Sequence, residues 1–493
     1  MKKKAIVIGA GIAGLAVSLR LQKKGYQVTV IEKNDYVGGK MHLLEHNGYR
    51  FDLGPSLFTM PELVVSLFEL YGKPVNDYFS YKRKEVICHY YWPDGSFFKA
   101  WSDPEKWISE ASKFFGEPSE VLSAYLNNSA KKYSLTAPIF LEKSLSDWKT
   151  YFSINTLNAL AKLGALNLFS TLDKHHKSVF KNKKVIQYFN RFATYNGSSP
   201  YQTSAIMSMI PHLEMQKGTY FPSDGMHAIG QSLYTLAQES GVHFLLESPV
   251  QKIEMKGHKA IGVSIEKNSK KEYMSADIVV SNADVFHTYN ALLPEVKTPK
   301  RVLREERSSS GLIFYWGMAK TFPNLDLHNI FFSEDYESEF KTIFEQKKLP
   351  SDPTIYINIS AKEKPSDAPK NCENWFVMVN APANEGQDWG ALKKDMRAVI
   401  IKKLSRLLKT DIAAHIVFEE ILDPVGIENN TAAYQGALYG TSSNDSKAAF
   451  LRQSNKSHIE NLYFCGGSAH PGGGIPLCLQ SAKITADLIP STH

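Results

Sequence analysis

The sequence of 493 residues holds only four cysteines: Cys88, Cys372, Cys465 and Cys478. None forms a C-x-x-C pair, and no His/Cys group has zinc spacing, so neither a disulfide framework nor a structural zinc site is expected. Sparse, scattered cysteine fits a reduced, cytoplasmic chain. Nowhere is there a charge-free apolar run of the ~18–20 residues needed to cross a bilayer. The basic start, Lys2 to Lys4, leads into an apolar run of only Ala5 to Ile8 before Gly9, which reads as a first strand rather than a secretory leader. There is no internal repeat and no low-complexity linker. What is present is ordinary globular material: 43% hydrophobic and 22% charged residues, in a chain too long for one core.

Charge is unevenly spread. Between Lys131 and Arg191 stand eleven Lys/Arg against three acids, a local excess of +8 that exceeds the +7 of the whole chain. Trp148, Tyr151, Phe152, Leu157, Phe169 and Phe180 interleave with these lysines. Such an amphipathic basic surface suits an anionic membrane interface, and a solvated helix pair is the plainer alternative. Nucleic acid is not expected, because no recognised binding module accompanies the charge. His175-His176 reads as surface, not as a metal pair.

The strongest local signal is Gly9-x-Gly11-x-x-Gly14, set between the apolar run 5–8 and a helical pattern that stops at Gly25. Gly9 permits a tight turn, Gly11 lets a pyrophosphate approach the backbone, and Gly14 lets helix and sheet pack closely. Ile12 and Ala13 open the helix, whose free N–H groups face the phosphates. A second strand, 27–32, ends at Glu32, 18 residues beyond Gly14, where a carboxylate accepts from ribose hydroxyls and disfavours a 2′-phosphate. This is a strand–turn–helix–strand unit that binds a dinucleotide.

The motif alone does not choose between FAD and NAD. The residues that follow do so by likeness. Glu32-Lys33 with Gly38-Gly39-Lys40, then Phe51-Asp52-x-Gly54-Pro55-Ser56, resembles the flavoprotein pattern of an acid followed by G-G-[RK]. Near the far end, 461–476 (NLYFCGGSAHPGGGIP) is similar to the closing motif of bacterial-type phytoene and carotenoid desaturases, within the FAD-dependent amine-oxidase-like superfamily. Tyr220-Phe221-Pro222, Ser281-Asn282-Ala283-Asp284 and 436–440 (GALYG) extend the resemblance over nearly the whole chain. Desaturases of hydroxylated carotenoids look nearest, which points to 3,4-desaturation of a 1-hydroxycarotenoid.

The resemblance implies an α/β Rossmann-like FAD-binding domain from 1–75, 219–285 and 415–493. It is interleaved with an α+β substrate-binding domain from 76–218 and 286–414, in which 103–192 is helical, basic and faces the membrane. Cofactor contacts are expected from Gly9, Gly11, Ile12, Ala13, Gly14, Glu32, Lys33, Gly39, Lys40, Gly54, Pro55, Ser56, Val250, Asn282, Gly467, Gly474, Ile475 and Pro476. For Val250 an adenine contact stands beside a plain edge valine. The glycines at 466, 467, 472, 473 and 474 leave little bulk, so a flat ring could lie on backbone, with the helix begun at Pro476 aimed at it. Lys40 replaces a common arginine, and Asp224 and Cys478 depart from the pattern in ways that could alter what lies against the ring.

No triad is visible and none is required, because the flavin carries the chemistry. His470 is the side-chain candidate beside the ring, with a turn-filling histidine as the other reading; His212 and Glu214 are outside candidates for a base. The implied partners are a carotenoid, the inner face of a membrane, and quinone or oxygen as electron acceptor. Phytoene desaturation, carotenoid isomerisation or oxygenation, amine oxidation and flavin-free isoprenoid binding remain as alternatives.

Overall fold

The computed structural model describes residues 2–144, 167, 170–267, 270–445 and 452–492. Five short strands form a wholly parallel sheet in the order Leu462–Phe464, Ile278–Ser281, Lys4–Ile8, Gln27–Ile31, His243–Leu245. Both faces of this sheet are covered, which is why its strands read as continuous apolar runs. Successive side chains go to opposite sides. Ala5 and Val7 pack under the helices Ile12–Lys23, His227–Glu239 and Ile475–Leu488, whereas Ile6 and Ile8 pack against an antiparallel three-stranded meander over 250–275.

The second sheet has seven strands: Ile416–Leu422, Ser310–Met318, Glu373–Ala381, Ile355–Asn358, His328–Phe331, Val86–Tyr91 and Phe97–Trp101, in that spatial order. Every pairing is antiparallel except His328–Phe331 with Val86–Tyr91. One face (Leu312, Phe314, Trp316, Trp375, Val377) packs on the helix Trp389–Leu408 through Met396, Ile400 and Leu404. The other face (Ile313, Tyr315, Phe376) meets Tyr49 and Phe51 of the hairpin Leu43–His46/Tyr49–Asp52 and turns toward the parallel sheet. The helices Pro104–Phe115, Ser119–Thr136, Leu172–Val179 and Lys183–Asn190 build a third aromatic-rich core at the sheet's end.

Some expectations are corrected. The boundary at 415 is too early, because Ile416–Leu422 pairs with Ser310–Met318 as the edge of the seven-stranded sheet. The basic stretch is also less of a surface than its sequence suggests. Lys132 is buried with its ammonium donating to Ser208 Oγ at 2.7 Å, and Arg191 is buried against Glu214. His175 and His176 are not surface residues. His176 lies between Tyr125 Oη at 2.8 Å and Asn190 Oδ1 at 2.6 Å. Lys131, Lys143, Lys174, Lys177, Lys181 and Lys183 do remain exposed. The aromatic and leucine positions from Trp148 to Leu166, with Lys149 and Lys162, and Leu168 and Phe169, lie outside the described residues. Among the described residues no helix is long and apolar enough to cross a membrane, and no His/Cys/Asp/Glu group is arranged for a metal.

Burial pushes His175 down to about 4 and His176 to about 3, so both are neutral in the folded chain at pH 7. Unfolding restores ordinary histidines that take up protons below about pH 6.5. The unfolded state therefore binds more protons between pH 6.5 and about 4, and stability falls as the pH is lowered through that window. Thermal unfolding at pH 7 and pH 5 measures this. His176→Gln, which cannot charge, is expected to flatten the dependence.

Candidate flavin site

The strands Lys4–Ile8 and Ile278–Ser281 end side by side at the carboxyl edge of the parallel sheet, where open α/β sheets bind nucleotides. A cavity of about 910 Å³ opens there and runs under the seven-stranded sheet. Gly9, Gly11, Ile12, Ala13, Glu32, Lys33, Gly39, Lys40, Gly54, Pro55, Ser56, Val250, Asn282, Gly467, Gly474, Ile475 and Pro476 all line it. Residues from opposite ends of the sequence thus share one wall. Gly14 does not line the cavity. It packs beneath, where a Cβ would strike the Gly9 carbonyl oxygen, so glycine is needed for helix and turn to approach.

Glu32 is buried and held by backbone: Oε2 accepts from the Ala10 N–H at 2.7 Å and Oε1 from the Asn34 N–H at 3.0 Å. Each oxygen keeps a lone pair, so the carboxylate is pre-positioned as an acceptor for ribose hydroxyls. Val250 lines the same end of the cavity, beside Pro249 and Gln251. Lys33 lines the rim, with its ammonium donating to the Asn429 carbonyl at 2.5 Å.

Asn282 ties the two glycine turns together. Its Nδ2 donates to the Gly9 carbonyl at 3.2 Å, while the Cys465 thiol lies 3.9 Å from its Oδ1. Two cations then fix the later loops. Lys40 donates to the carbonyls of Ala437 at 3.2 Å and Leu438 at 2.8 Å, and burial lowers its pKa against the pull of Cys478 and Asp284. Arg452 donates to the carbonyls of Tyr439 at 2.9 Å, Gly467 at 3.2 Å and Thr441 at 2.8 Å. The last helix, Ile475–Leu488, starts behind Gly474 (φ 98°) with Pro476 in its first turn, so its free N–H groups face the cavity. The Cys478 thiol in the same turn is pushed up to about 11 by burial and stays protonated.

The other candidates separate. His470 is buried but does not line the cavity. Its Nε2–H donates to the Lys143 carbonyl at 2.9 Å, and burial drives it down to about 4, so it is a neutral, turn-filling histidine rather than a group at the ring. His212 bonds Gln216 and packs on Tyr133, away from the cavity. Glu214 does line it, with its two carboxylate oxygens engaged by Arg191 and Tyr195. Asp224 is exposed near Lys364 and does not reach the cavity. Residues that no sequence motif marks form the floor: Ile313, Tyr315, Phe376, Met378, His328 and Tyr356.

The donor set fits a flavin dinucleotide. There is a held carboxylate for ribose, backbone turns for the pyrophosphate, and a bulk-free glycine wall under a helix N-terminus. A model of flavin-containing amine oxidoreductases matches residues 12–490. The chain belongs to that family. Its cofactor is FAD. The chain is 55% identical over 492 residues to a 1-hydroxycarotenoid 3,4-desaturase from Flavobacterium sp., with 100% of each chain covered. It is 31% identical to a phytoene desaturase from Phycomyces blakesleeanus, over 99% of this chain and 85% of that one. An oxidoreductase from Methanosarcina mazei has the same fold, with TM-score 0.65 at 14% identity over 98% of this chain and 100% of that one.

Glu32→Ala removes the ribose acceptor and leaves the Ala10 N–H unpaired. FAD affinity should fall by roughly 2–3 kcal/mol, near a hundredfold, as read from retained flavin absorbance after dialysis.

Proposed function

We propose that this chain is an FAD-dependent carotenoid desaturase that introduces a double bond at the 3,4 position of a 1-hydroxycarotenoid. The observation that carries the reading is continuity: one cavity joins the glycine wall to an apolar floor of Ile313, Tyr315, Phe376 and Met378. Full-length similarity to the 1-hydroxycarotenoid 3,4-desaturase supports the same substrate class. A polyene offers almost nothing to hydrogen-bond, so its binding rests on apolar contact and exclusion of water.

Bound FAD supplies a hydride acceptor. The chain supplies position and dryness. Lys40 and Arg452 hold the loops over 437–441 and 467 rigid against the glycine wall. The Cys478 thiol remains neutral and introduces no charge there. Glu214 is clamped by Arg191 and Tyr195, and His470 is turned to Lys143, so neither stands free as a strong base. A delocalised polyene cation gives up its proton without one, which suits a carotenoid better than a saturated amine.

A membrane is the source of such a substrate. We assign the approach to the exposed lysines 131, 143, 174, 177, 181 and 183, on the inner, cytoplasmic face, with quinone or oxygen as the acceptor that restores the flavin. The domain assignment proposed with this reading places the cofactor on the parallel sheet and the polyene under the seven-stranded one.

Two measurements check this. Holoenzyme given a 1-hydroxycarotenoid in liposomes should yield a product lighter by two hydrogen atoms and absorbing at longer wavelength. An unchanged carotenoid together with oxidation of amines would overturn the reading. In flotation assays, vesicles containing phosphatidylglycerol should bind the protein, and replacing Lys174, Lys177, Lys181 and Lys183 by Glu should release it. Equal binding to neutral vesicles would remove the electrostatic part of the membrane assignment.

A further inference from the structure

Two neighbouring strands of the seven-stranded sheet bring one linked polar group to the cavity floor. His328 and Tyr356 stand on the neighbouring strands His328–Phe331 and Ile355–Asn358, and the register Ile330↔Tyr356 sets both side chains on the cavity face. His328 is only 3% exposed. Its Nδ1 lies 2.8 Å from Tyr356 Oη and 3.3 Å from Asn358 Nδ2, which can only donate. Nδ1 is therefore the acceptor of the ring, and the proton sits on Nε2. Burial lowers the imidazole to about 3, so the ring is neutral at physiological pH. Nε2–H has no hydrogen-bond partner among the described residues. A buried donor left without an acceptor is costly, so this one calls for a water, an ion or a ligand to complete its bonding.

The residue that carries this donor lines the cavity wall. Tyr356 Oη is also bonded to Ser56 Oγ at 2.7 Å, so the chain Ser56–Tyr356–His328 starts in the Gly54–Pro55–Ser56 turn of the flavin wall. The 1-hydroxycarotenoid reading, on which this inference rests, makes a matching demand. Only C1 and C2 lie between the hydroxyl oxygen and C3. Any group that holds the hydroxyl while C3 and C4 are oxidised must stand next to the cofactor, not at the distant end of a polyene tunnel. A tertiary alcohol is also the one strong acceptor on such a substrate.

We propose that the Nε2–H of His328, fixed by Tyr356 and Asn358, binds the terminal hydroxyl oxygen of the substrate and so sets which carbon–carbon bond is oxidised. His328 is then a specificity-determining residue that touches the substrate, and Tyr356 is a positioning residue. Arg191 Nε is a second unpartnered donor on the cavity wall. Its guanidinium is committed to Glu214 and packed over Phe192 at 4.2 Å, which leaves it less free to follow a ligand.

The test compares a 1-hydroxylated polyene with the same polyene lacking the hydroxyl, using holoenzyme in liposomes. It reads kcat/KM and, separately, Kd from quenching of tryptophan fluorescence by the polyene. Wild type should favour the hydroxylated compound by up to about a hundredfold, the effect of leaving one buried donor unpaired when the hydroxyl is missing. In His328→Phe the preference should shrink to about threefold, almost wholly through loss on the hydroxylated compound. His328→Gln, which keeps an N–H donor near the Nε2 position, should recover most of the preference. Tyr356→Phe should lower it by about fivefold, through loss of the bond that fixes the ring. A preference unchanged in His328→Phe overturns the proposal and turns attention to Arg191, and a parallel loss on both polyenes, the mark of a structural role, overturns it equally. If His328→Phe fails to fold, His328→Gln and Tyr356→Phe carry the same comparison. Wild type that converts neither polyene sinks the desaturase reading, while the ratio of Kd values still decides the hydroxyl contact.

Discussion

One side-chain amide sets the geometry of the cofactor end. Asn282 leaves the tip of the strand Ile278–Ser281 and reaches sideways to the Gly9 carbonyl, with Cys465 and Gly466 on its other side. The first and last glycine turns of the chain are thereby set at one spacing. The buried carboxylate of Glu32, the ammonium of Lys40 and the guanidinium of Arg452 then bind carbonyls and amides on loops that are otherwise irregular. Irregular backbone in a buried site needs such partners for its polar groups. Here they come from charged side chains that converge from the two ends of the sequence.

The substrate end follows from the alternation of side chains along the seven-stranded sheet. Its odd and even residues face different worlds. Leu312, Phe314 and Trp316 enter a closed core with the helix Trp389–Leu408, whereas Ile313 and Tyr315 line a cavity. A shift of one residue in register would exchange the two sets. The paired strand Glu373–Ala381 guards against this, because it matches Ser310–Met318 residue by residue along its full length.

Legibility differs between these halves for physical reasons. The dinucleotide turn, Glu32, the Gly54–Pro55–Ser56 turn and the closing glycines are local motifs, with each role tied to a residue type, and seventeen of the eighteen expected contacts line one cavity. Gly14 is the exception, and its service to packing is the role assigned to the third glycine of the motif. Sequence leaves His470 with two readings because proximity to a glycine wall says nothing of direction; its ring faces Lys143, which matches the turn-filling one. The floor is hidden more deeply. Ser310–Met318 is buried on both faces, so no polar alternation marks the cavity side. His328 and Asn329 open a strand with two polar residues, which argues against a strand until their hydrogen bonds to Asn358, Asp326 and Ile357 are seen. Lys132 and Arg191 read as surface charge in sequence, since burial of a cation depends on a partner that is remote along the chain.

The order of strands in the parallel sheet has a consequence for biosynthesis. The strand Leu462–Phe464 flanks Ile278–Ser281, and the helix Ile475–Leu488 shares one core with Ile12–Lys23, a helix far earlier in the chain. The earlier helix lacks this neighbour until the whole stretch between them has been translated, at ~5–20 residues per second. The nucleotide-binding half therefore cannot close until residues 462–488 have been made, and the glycine wall next to them is a late addition to the site. Until then the flank of Ile12–Lys23 that meets Ile475–Leu488 stays uncovered.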